Sequence, residues 1–349
     1  MAHSFTRRSR AAAAAVAVSC LTLTLAGSTV AQDASPAGSP SGTGPLFVNI
    51  NKSADQQYFI DQATAFQAAI EEMGGTALTS DAKLDPDLGI NLVNDAISAG
   101  AKGIAITVPD QTIGPAVAKA ARDAGVALVA TNDNIVDDTG APVPMVGFNG
   151  TDMGTKVGEA AAKLLTESGW LDDPSKKVGV LSTEVQTLSV CEDRTNASKE
   201  KVIAAGVPAE NVFQVPYTGV TQSAQDAAGP VITAHPDVTN WVVFACNDEG
   251  ALGTLNALAA AGASPDNIIG VGLGAYEACK PWAAGTPSGF KAALFISGLD
   301  VGEMAAKVLW DNVVNGVPLP PESIAPTTIV DATTYATVMD PISVANCSK

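Results

Sequence analysis

Short apolar runs recur along the chain, and helical segments separate them. The first series comprises LFVNI (46–50), GIAITV (103–108), VALVAT (126–131) and VPMVGF (143–148). The segments between these runs, such as FIDQATAFQAAIEEMG, repeat apolar residues at helical spacing. Because strands that alternate with helices need crossover connections, this pattern predicts a parallel sheet covered by helices on both faces.

A second series repeats the pattern in the later part of the chain. It comprises VGVLS (178–182), NVFQVP (211–216), WVVFA (241–245), NIIGVGL (267–273) and KAALFIS (291–297). A length of 349 residues is enough for two domains with sizeable cores. The sequence therefore predicts an α/β protein with two Rossmann-like, doubly wound lobes, the first beginning near Pro45 and the second near Thr151.

The amino terminus has the layout of a signal peptide. Arginines cluster before residue 11, residues 11–26 are apolar, and small residues around Ala31 suit cleavage. The alternative is a membrane anchor, but the apolar run is short and is interrupted by serine and threonine. We therefore expect residues 1–31 to be removed on export. Residues 32–45, which are rich in Pro, Ser and Gly, are expected to form a flexible leader.

Charge narrows the choice of partner. The chain has 36 acidic residues against 19 Lys and Arg, a formal net charge of −17. The predicted signal peptide contains arginines and no acidic residue, so its removal makes the chain more acidic still. Nucleic acids and anionic membranes both attract basic patches, and neither is expected as a partner.

Four cysteines follow the predicted signal peptide: Cys191, Cys246, Cys279 and Cys347. In an exported protein they permit two disulfides, with three possible connectivities, or they remain free thiols. A zinc site is not expected, because the sequence has no CxxC pair and His235 is the only histidine after the leader. No metal and no cofactor are therefore predicted.

Motifs of common enzymes are missing or incomplete. The sequence has no GxSxG elbow and no GxxxxGK[ST] phosphate loop. The segment GVGLGA (270–275) fits GxGxxG/A, but no strand ending in an acid follows at the distance that a dinucleotide site requires. Close packing is the simpler explanation of those glycines. An enzyme is not predicted.

Polar residues cluster where predicted strands end. NINKSADQQYF (49–59) follows the first strand, TNDN (131–134) follows the third, and CNDEG (246–250) follows a strand of the second lobe. Arg194 is predicted to open a helix, where the helix dipole does not favour a cation. Ligands of open α/β sheets sit at the carboxyl ends of the strands. These groups therefore predict a cleft for a small polar ligand.

Three segments together carry a family resemblance: RTNASKEKVIAAGVPAENVFQVPYTG, AHPDVTNWVVFACNDEGALG and NIIGVGLGAYEA. In this order they resemble the periplasmic sugar-binding proteins of ABC importers, most closely the L-arabinose-binding members, over nearly all of 46–349. The resemblance implies two lobes joined by three hinge crossings, near 148–151, 295–297 and 327–329, with one sugar between them. The implied first lobe comprises residues 46–150 and 296–328. The implied second lobe comprises residues 151–295 and 329–349.

The resemblance also implies a set of ligand-binding residues: Lys52, Gln56, Tyr58, Phe59, Asn132, Asp133, Arg194 and Asn247, with Asp248 and Gly274 as further candidates. Three positions depart from the family pattern. Gln56 and Asn132 stand where the family has acids, and Gly274 stands where it has an asparagine. The implied ligand is a pentose, hexose or polyol that need not be arabinose.

Simpler roles are open for several of these residues. Tyr58 and Phe59 could belong to the core, and Asn132 with Asp133 could cap a helix. For the pair at 247–248, we expect Asp248 to cap a helix that begins at Glu249, which leaves Asn247 for the ligand.

The cysteines lie beside these ligand segments. We expect Cys191 to pair with Cys246 behind the pocket, and Cys279 to pair with Cys347 and hold the carboxyl-terminal tail. Four free thiols are the alternative.

The resemblance implies an exported, monomeric protein that delivers a sugar or polyol to an ABC permease. A sugar sensor for chemotaxis or signalling on the same fold is the alternative function. Sugar-responsive repressors share the fold but begin with a DNA-reading helix-turn-helix, and here a signal segment takes that place.

Overall fold

The computed structural model describes residues 43–349. The predicted signal peptide and most of the predicted leader lie outside the described residues. Within 43–349 the chain forms two α/β lobes, each built on a six-stranded, mostly parallel sheet. This confirms the predicted fold class. No helix in the described part of the chain is both long enough and apolar enough to cross a bilayer.

The first lobe contains an all-parallel sheet. Its strands are β1 (Leu46–Asn51), β2 (Thr76–Asp81), β3 (Gly103–Ile106), β4 (Ala127–Thr131), β5 (Met145–Gly147) and β11 (Glu322–Ile324). The spatial order is β11-β5-β4-β3-β1-β2. Strand β3 and most of β1 and β4 are buried, as expected for central strands covered on both faces.

The second lobe repeats this arrangement with one antiparallel edge strand. Its strands are β6 (Val178–Glu184), β7 (Val212–Pro216), β8 (Asn240–Ala245), β9 (Ile268–Gly274), β10 (Phe290–Ile296) and β12 (Thr327–Val330). The order is β12-β10-β9-β8-β6-β7, and only the β10–β12 pair is antiparallel among these pairings. GVGLGA therefore lies mostly within strand β9, where a side chain at Gly270 would meet the carbonyl oxygen of Gly289 at 2.8 Å.

Helices cover both sheets. Those of the first lobe are α1 (Gln57–Glu72), α2 (Pro86–Ser98), α3 (Gly114–Ala124) and α9 (Gly298–Asn315). Those of the second lobe are α4 (Gly150–Ser168), α5 (Ser189–Ala204), α6 (Thr221–Ala234), α7 (Asp248–Ala260), α8 (Cys279–Ala284), α10 (Tyr335–Val338) and α11 (Pro341–Asn346).

The chain passes between the sheets at three places. The first passage precedes α4, whose N-cap is Asn149, and the second precedes α9, whose N-cap is Ser297. The third lies between β11 and β12. Thr327 and Thr328 pair with β10 in the second sheet, so this passage comes before the predicted 327–329. Residues 327–328 were predicted to belong to the first lobe. They belong to the second, because β12 pairs with β10 from its first residue.

Two glycines let helices that carry cleft residues pack closely on their neighbours. A Cβ atom at Gly154 of α4 would lie 2.0 Å from the carbonyl oxygen of Arg194 on α5. A Cβ atom at Gly298 of α9 would lie 2.3 Å from the carbonyl oxygen of Tyr58 on α1. Only a residue without a side chain permits such approaches. The backbone of Arg194 thus packs directly on α4, and the backbone of Tyr58 packs directly on α9. Both helices begin where the chain has just passed between the sheets.

Candidate functional site

A cavity of about 390 Å³ lies between the lobes at the carboxyl ends of the strands. Its wall includes all the residues assigned to the ligand from the sequence: Lys52, Gln56, Tyr58, Phe59, Asn132, Asp133, Arg194, Asn247, Asp248 and Gly274. The fold therefore brings together side chains that are far apart in sequence. Their contact with a ligand stays a prediction.

An ion pair lies on the first-lobe wall. Lys52 Nζ is 2.6 Å from Asp133 Oδ2, and the two side chains are 16% and 2% exposed. The Lys52 ammonium also lies 5.8 Å from the centroid of the Phe59 ring, within the range of a cation–π contact. Both side chains follow strand ends, β1 for Lys52 and β4 for Asp133. The pair thus presents a donor and an acceptor at the cavity in fixed positions.

Asn132 is engaged inside the first lobe. Its backbone adopts a left-handed conformation (φ 65°), which asparagine tolerates better than most residues. Its Oδ1 accepts a hydrogen bond from the Tyr58 hydroxyl, and its Nδ2 donates to Gln62 Oε1 at 2.7 Å and to Thr107 Oγ1 at 3.2 Å. Asn132 is only 6% exposed. Its amide is therefore paired with side chains of its own lobe, among them the Tyr58 hydroxyl at the cavity.

Arg194 reaches the cavity from α5 of the second lobe. The helix begins at Ser189, so Arg194 lies within it and does not open it, contrary to the prediction. Nη1 donates to the Cys246 carbonyl oxygen at 3.0 Å, and the buried Nε has no hydrogen-bond partner among residues 43–349. Burial lowers the pKa of Arg194, and the Asp133 carboxylate across the cleft acts to raise it.

The prediction that Asp248 caps the helix at 247–248 is wrong. Asn247 is the N-cap of α7: its backbone is extended, and its Oδ1 accepts from Gly250 N at 2.9 Å and from the Tyr217 hydroxyl. Asp248 is the first residue of the helix, so its side chain points away from the cap position. Its Oδ2 accepts from Glu277 N at 2.8 Å and holds the segment after β9. The cap belongs to Asn247 because Asn247, and not Asp248, has the extended backbone that a cap needs.

Asp248 occupies space beside Gly274. A Cβ atom at Gly274 would lie 3.3 Å from Asp248 Cγ, and Gly274 has φ 138°, a conformation that side chains rarely adopt. The asparagine of the family pattern would thus be crowded here. Asp248 is 2% exposed, and its Oδ1 has no hydrogen-bond partner in the described part of the chain. Burial raises the pKa of Asp248 to about 6.

The cavity wall also includes residues that the sequence does not single out, among them Tyr217, Glu249 and Tyr276. Tyr217 and Tyr276 follow strands β7 and β9, so the strand-end rule applied to every strand finds both. Glu249 is half-buried in the first turn of α7, and its carboxyl group accepts no hydrogen bond from another described residue. Burial, together with the neighbouring Asp248, raises the pKa of Glu249 to about 8.

The lobes meet directly around the cleft. Gln56 Nε2 donates to the Gly219 carbonyl oxygen at 3.3 Å. Gln111 exchanges two hydrogen bonds with Ser189: its Nε2 donates to the hydroxyl at 3.0 Å, and its Oε1 accepts from the backbone N–H at 2.7 Å. The described conformation is therefore one in which the two walls face each other at short range.

Both disulfides expected from the sequence are present, with Cys191 joined to Cys246 and Cys279 joined to Cys347. The first joins α5 to the end of β8 and lies on the cavity wall. The second joins α8 to the residue after α11, away from the cavity. In residues 43–349 no cluster of His, Cys, Asp and Glu is placed to hold a metal ion.

Residues 47–316 match the family model of the periplasmic binding protein domain. This match spans most of the chain, which therefore belongs to that family. Proteins of this family bind solutes for ABC transporters and are not enzymes. The resemblance read from the sequence is thus confirmed.

Two relatives of this chain are named as L-arabinose-binding proteins. The chain is 30% identical to an ABC transporter L-arabinose-binding periplasmic protein of Azospirillum brasilense, over 82% of this chain and 84% of the relative. It is 28% identical to the L-arabinose-binding periplasmic protein of Escherichia coli K12, over 68% and 72%. The fold matches a crystal structure of an ABC transporter solute-binding protein from Mycobacterium smegmatis with bound glycerol. That match has a TM-score of 0.69 and 22% identity, and it covers 84% of this chain and 96% of the other.

Proposed function

We propose that this chain is an exported binding protein that captures one monosaccharide or polyol between its lobes and delivers it to an ABC permease. The observation that carries the proposal is the cavity between the lobes, whose wall combines aromatic rings with hydrogen-bonding groups from both sheets. A volume of about 390 Å³ lies near the lower end of the range of small-molecule sites and suits a single sugar ring.

The wall has the chemistry that a sugar requires. Sugar hydroxyls both donate and accept, and the buried Arg194 Nε can donate while Asp248 Oδ1 can accept. Rings of Tyr58, Phe59 and Tyr276 offer apolar faces for the C–H groups of the ligand. Buried polar atoms without a partner destabilise a closed cleft, so a ligand that pairs with them favours closure.

The proposed ligand-binding residues are those implied by the family resemblance, with Glu249 added and roles adjusted to the contacts seen. Lys52, Asp133, Arg194 and Glu249 contact the hydroxyls, and Asn132 acts through Tyr58. The two curated relatives are named for L-arabinose, which makes a pentose the first candidate. Gly274 lacks the side chain of the family asparagine, so this corner of the pocket can accept a different substituent.

Export, a monomeric state and delivery to a permease complete the proposal. The signal-peptide layout of residues 1–31 and the periplasmic relatives support export. The Azospirillum relative is named as an ABC transporter protein, which supports delivery to a permease. The acidic composition of the chain disfavours nucleic acid as a partner.

A thermal-shift screen with L-arabinose, D-ribose, D-galactose and myo-inositol tests the proposal. A ligand that binds only the folded protein stabilises it by about 2.7 kcal/mol at 100 times its dissociation constant, so a true ligand raises Tm clearly. Arg194→Ala is the matched control and should show a smaller rise with the same sugar. If no sugar or polyol at millimolar concentration moves the Tm of the parent protein, the proposed ligand class is wrong.

A further inference from the structure

The two disulfides differ in their relation to the cleft. Cys191 and Cys246 both line the cavity, whereas Cys279 and Cys347 do not. Cys191 precedes Arg194 by nearly one turn on α5, and Cys246 directly precedes Asn247. The first disulfide therefore joins two segments that present polar side chains to the proposed ligand.

The Arg194 side chain depends on this junction. Its backbone is fixed by the close approach of Gly154. Within residues 43–349 its guanidinium donates to Cys246 alone, from Nη1 to the carbonyl oxygen at 3.0 Å. The same nitrogen lies 3.8 Å from Cys246 Sγ. An arginine side chain has many rotamers, and holding one of them requires a fixed partner.

The first turn of α5 packs on α4, where a Cβ atom at Gly150 would lie 3.1 Å from Val190 Cγ2, and the disulfide is its covalent link to the end of β8. The N-cap of α5, Leu188, offers no side-chain hydrogen bond to the helix. The Ser189 backbone N–H is paired with Gln111 of the opposite lobe, and that pairing depends on closure. The apolar cluster around the disulfide is small and separate from the larger cores: Val185, Leu188, Val190, Cys191, Tyr217, Ala224 and Cys246.

We propose that the Cys191–Cys246 disulfide is a positioning element for Arg194, holding its guanidinium across the cavity toward Asp133. The Cys279–Cys347 disulfide has no such role and only secures the carboxyl-terminal tail. The part of this inference that concerns affinity rests on the proposed sugar-binding function, whereas the part that concerns the side chain does not.

The side chain can be observed without any ligand. Arg122 and Arg194 are the only arginines after residue 10, so they give the two arginine Nε–H signals of the described part in a ¹⁵N spectrum. Exposed Arg122 is the internal reference. In Cys191→Ala/Cys246→Ala the Arg194 Nε–H should exchange with solvent about tenfold faster or more than in the parent. In Cys279→Ala/Cys347→Ala its exchange should be unchanged, and equal exchange in all three proteins would overturn the proposal.

Affinity gives the second readout. With L-arabinose in calorimetric titrations, Cys191→Ala/Cys246→Ala should weaken binding about tenfold, and Arg194→Ala should then weaken it by only a few-fold more. In the Cys279→Ala/Cys347→Ala background, Arg194→Ala should have its full effect. Additive losses in both backgrounds would show that the first disulfide acts only on stability. If L-arabinose does not bind the parent, the choice of sugar fails, and the exchange measurement still decides the positioning role.

A folding failure of Cys191→Ala/Cys246→Ala does not end the test. Cys279→Ala/Cys347→Ala can be folded with its remaining disulfide intact and then reduced with tris(2-carboxyethyl)phosphine under native conditions. Faster exchange of the Arg194 Nε–H after reduction, with Arg122 unchanged, supports the proposal. Unchanged exchange of Arg194 in a protein shown by mass to be fully reduced contradicts it.

Discussion

The two walls of the cleft are built differently. On the first-lobe wall the polar side chains are paired with each other: Lys52 with Asp133, and Tyr58 with Asn132. On the second-lobe wall Arg194 Nε and Asp248 Oδ1 are buried and have no hydrogen-bond partner within residues 43–349. The first wall is therefore a preorganised surface, and the second retains the unmet hydrogen-bonding capacity that a ligand satisfies. It follows that substitutions in the second wall should act mainly on affinity, and those in the first wall more on stability.

The largest expected effect is on ligand affinity at Arg194. Arg194→Ala removes a charge-assisted hydrogen bond of about 1.5–3 kcal/mol and should weaken sugar binding on the order of 10–100-fold. Asp133→Ala should weaken binding as well, but it also leaves Lys52 without its partner and should lower the stability of the ligand-free protein. Calorimetric titration and denaturant melts of both variants separate the two patterns. If Arg194→Ala binds as tightly as the parent, the contrast between the walls fails.

A hydroxyl deletion in each lobe tests the same contrast through stability. Tyr58→Phe leaves the buried Asn132 Oδ1 without its hydroxyl donor and should lower the free energy of unfolding by about 1–3 kcal/mol. Tyr217→Phe is the matched control, because Asn247 Oδ1 keeps its hydrogen bond from Gly250 N. Its loss should be smaller, about 0.5–1.5 kcal/mol. Urea melts measure the free energy of unfolding of both variants. If Tyr217→Phe lost more stability than Tyr58→Phe, the first-lobe wall would not be the preorganised one.

The smallest expected effect is a pH dependence caused by Glu249. Its pKa is raised from 4.5 in a free side chain to about 8, so the folded protein keeps a proton that the unfolded chain releases at lower pH. The free energy of unfolding should therefore fall as pH rises from about 4.5 to 8. Glu249→Gln should remove this part of the slope and make the protein more stable than the parent at pH 8.

Glu200→Gln, which removes the same charge from an exposed position of α5, is the control for that experiment. It separates the loss of one negative charge from the burial of Glu249. An unchanged pH slope in Glu249→Gln would mean that the carboxyl group is hydrated in solution and that its pKa is not raised by burial.

Much of this site could be predicted because parallel strands all end at one edge. Lys52, Asp133 and Asn247 follow apolar runs, the family resemblance implies that they bind the ligand, and the fold places all three on one cavity. The cap at 247–248 was assigned wrongly, since the choice depends on which of two adjacent residues has an extended backbone. No local pattern in the sequence encodes that choice.

The pairing of Asn132 also could not be predicted. Its amide contacts Tyr58, Gln62 and Thr107, which lie on three other segments of the lobe. Hydrogen bonds between residues so distant in sequence are set by how α1 packs on the sheet. The sequence identifies the polar side chains at the strand ends, but which of them pair with each other depends on tertiary packing.

The most direct test of the central claim is a titration of the ¹⁵N-labelled parent protein with L-arabinose, followed through the arginine Nε–H signals. If the sugar binds between the lobes and pairs with the second wall, the Arg194 signal shifts and its exchange slows, whereas the Arg122 signal stays in place. If L-arabinose raises Tm and the Arg194 signal does not respond, the sugar binds without the second wall and the account is contradicted.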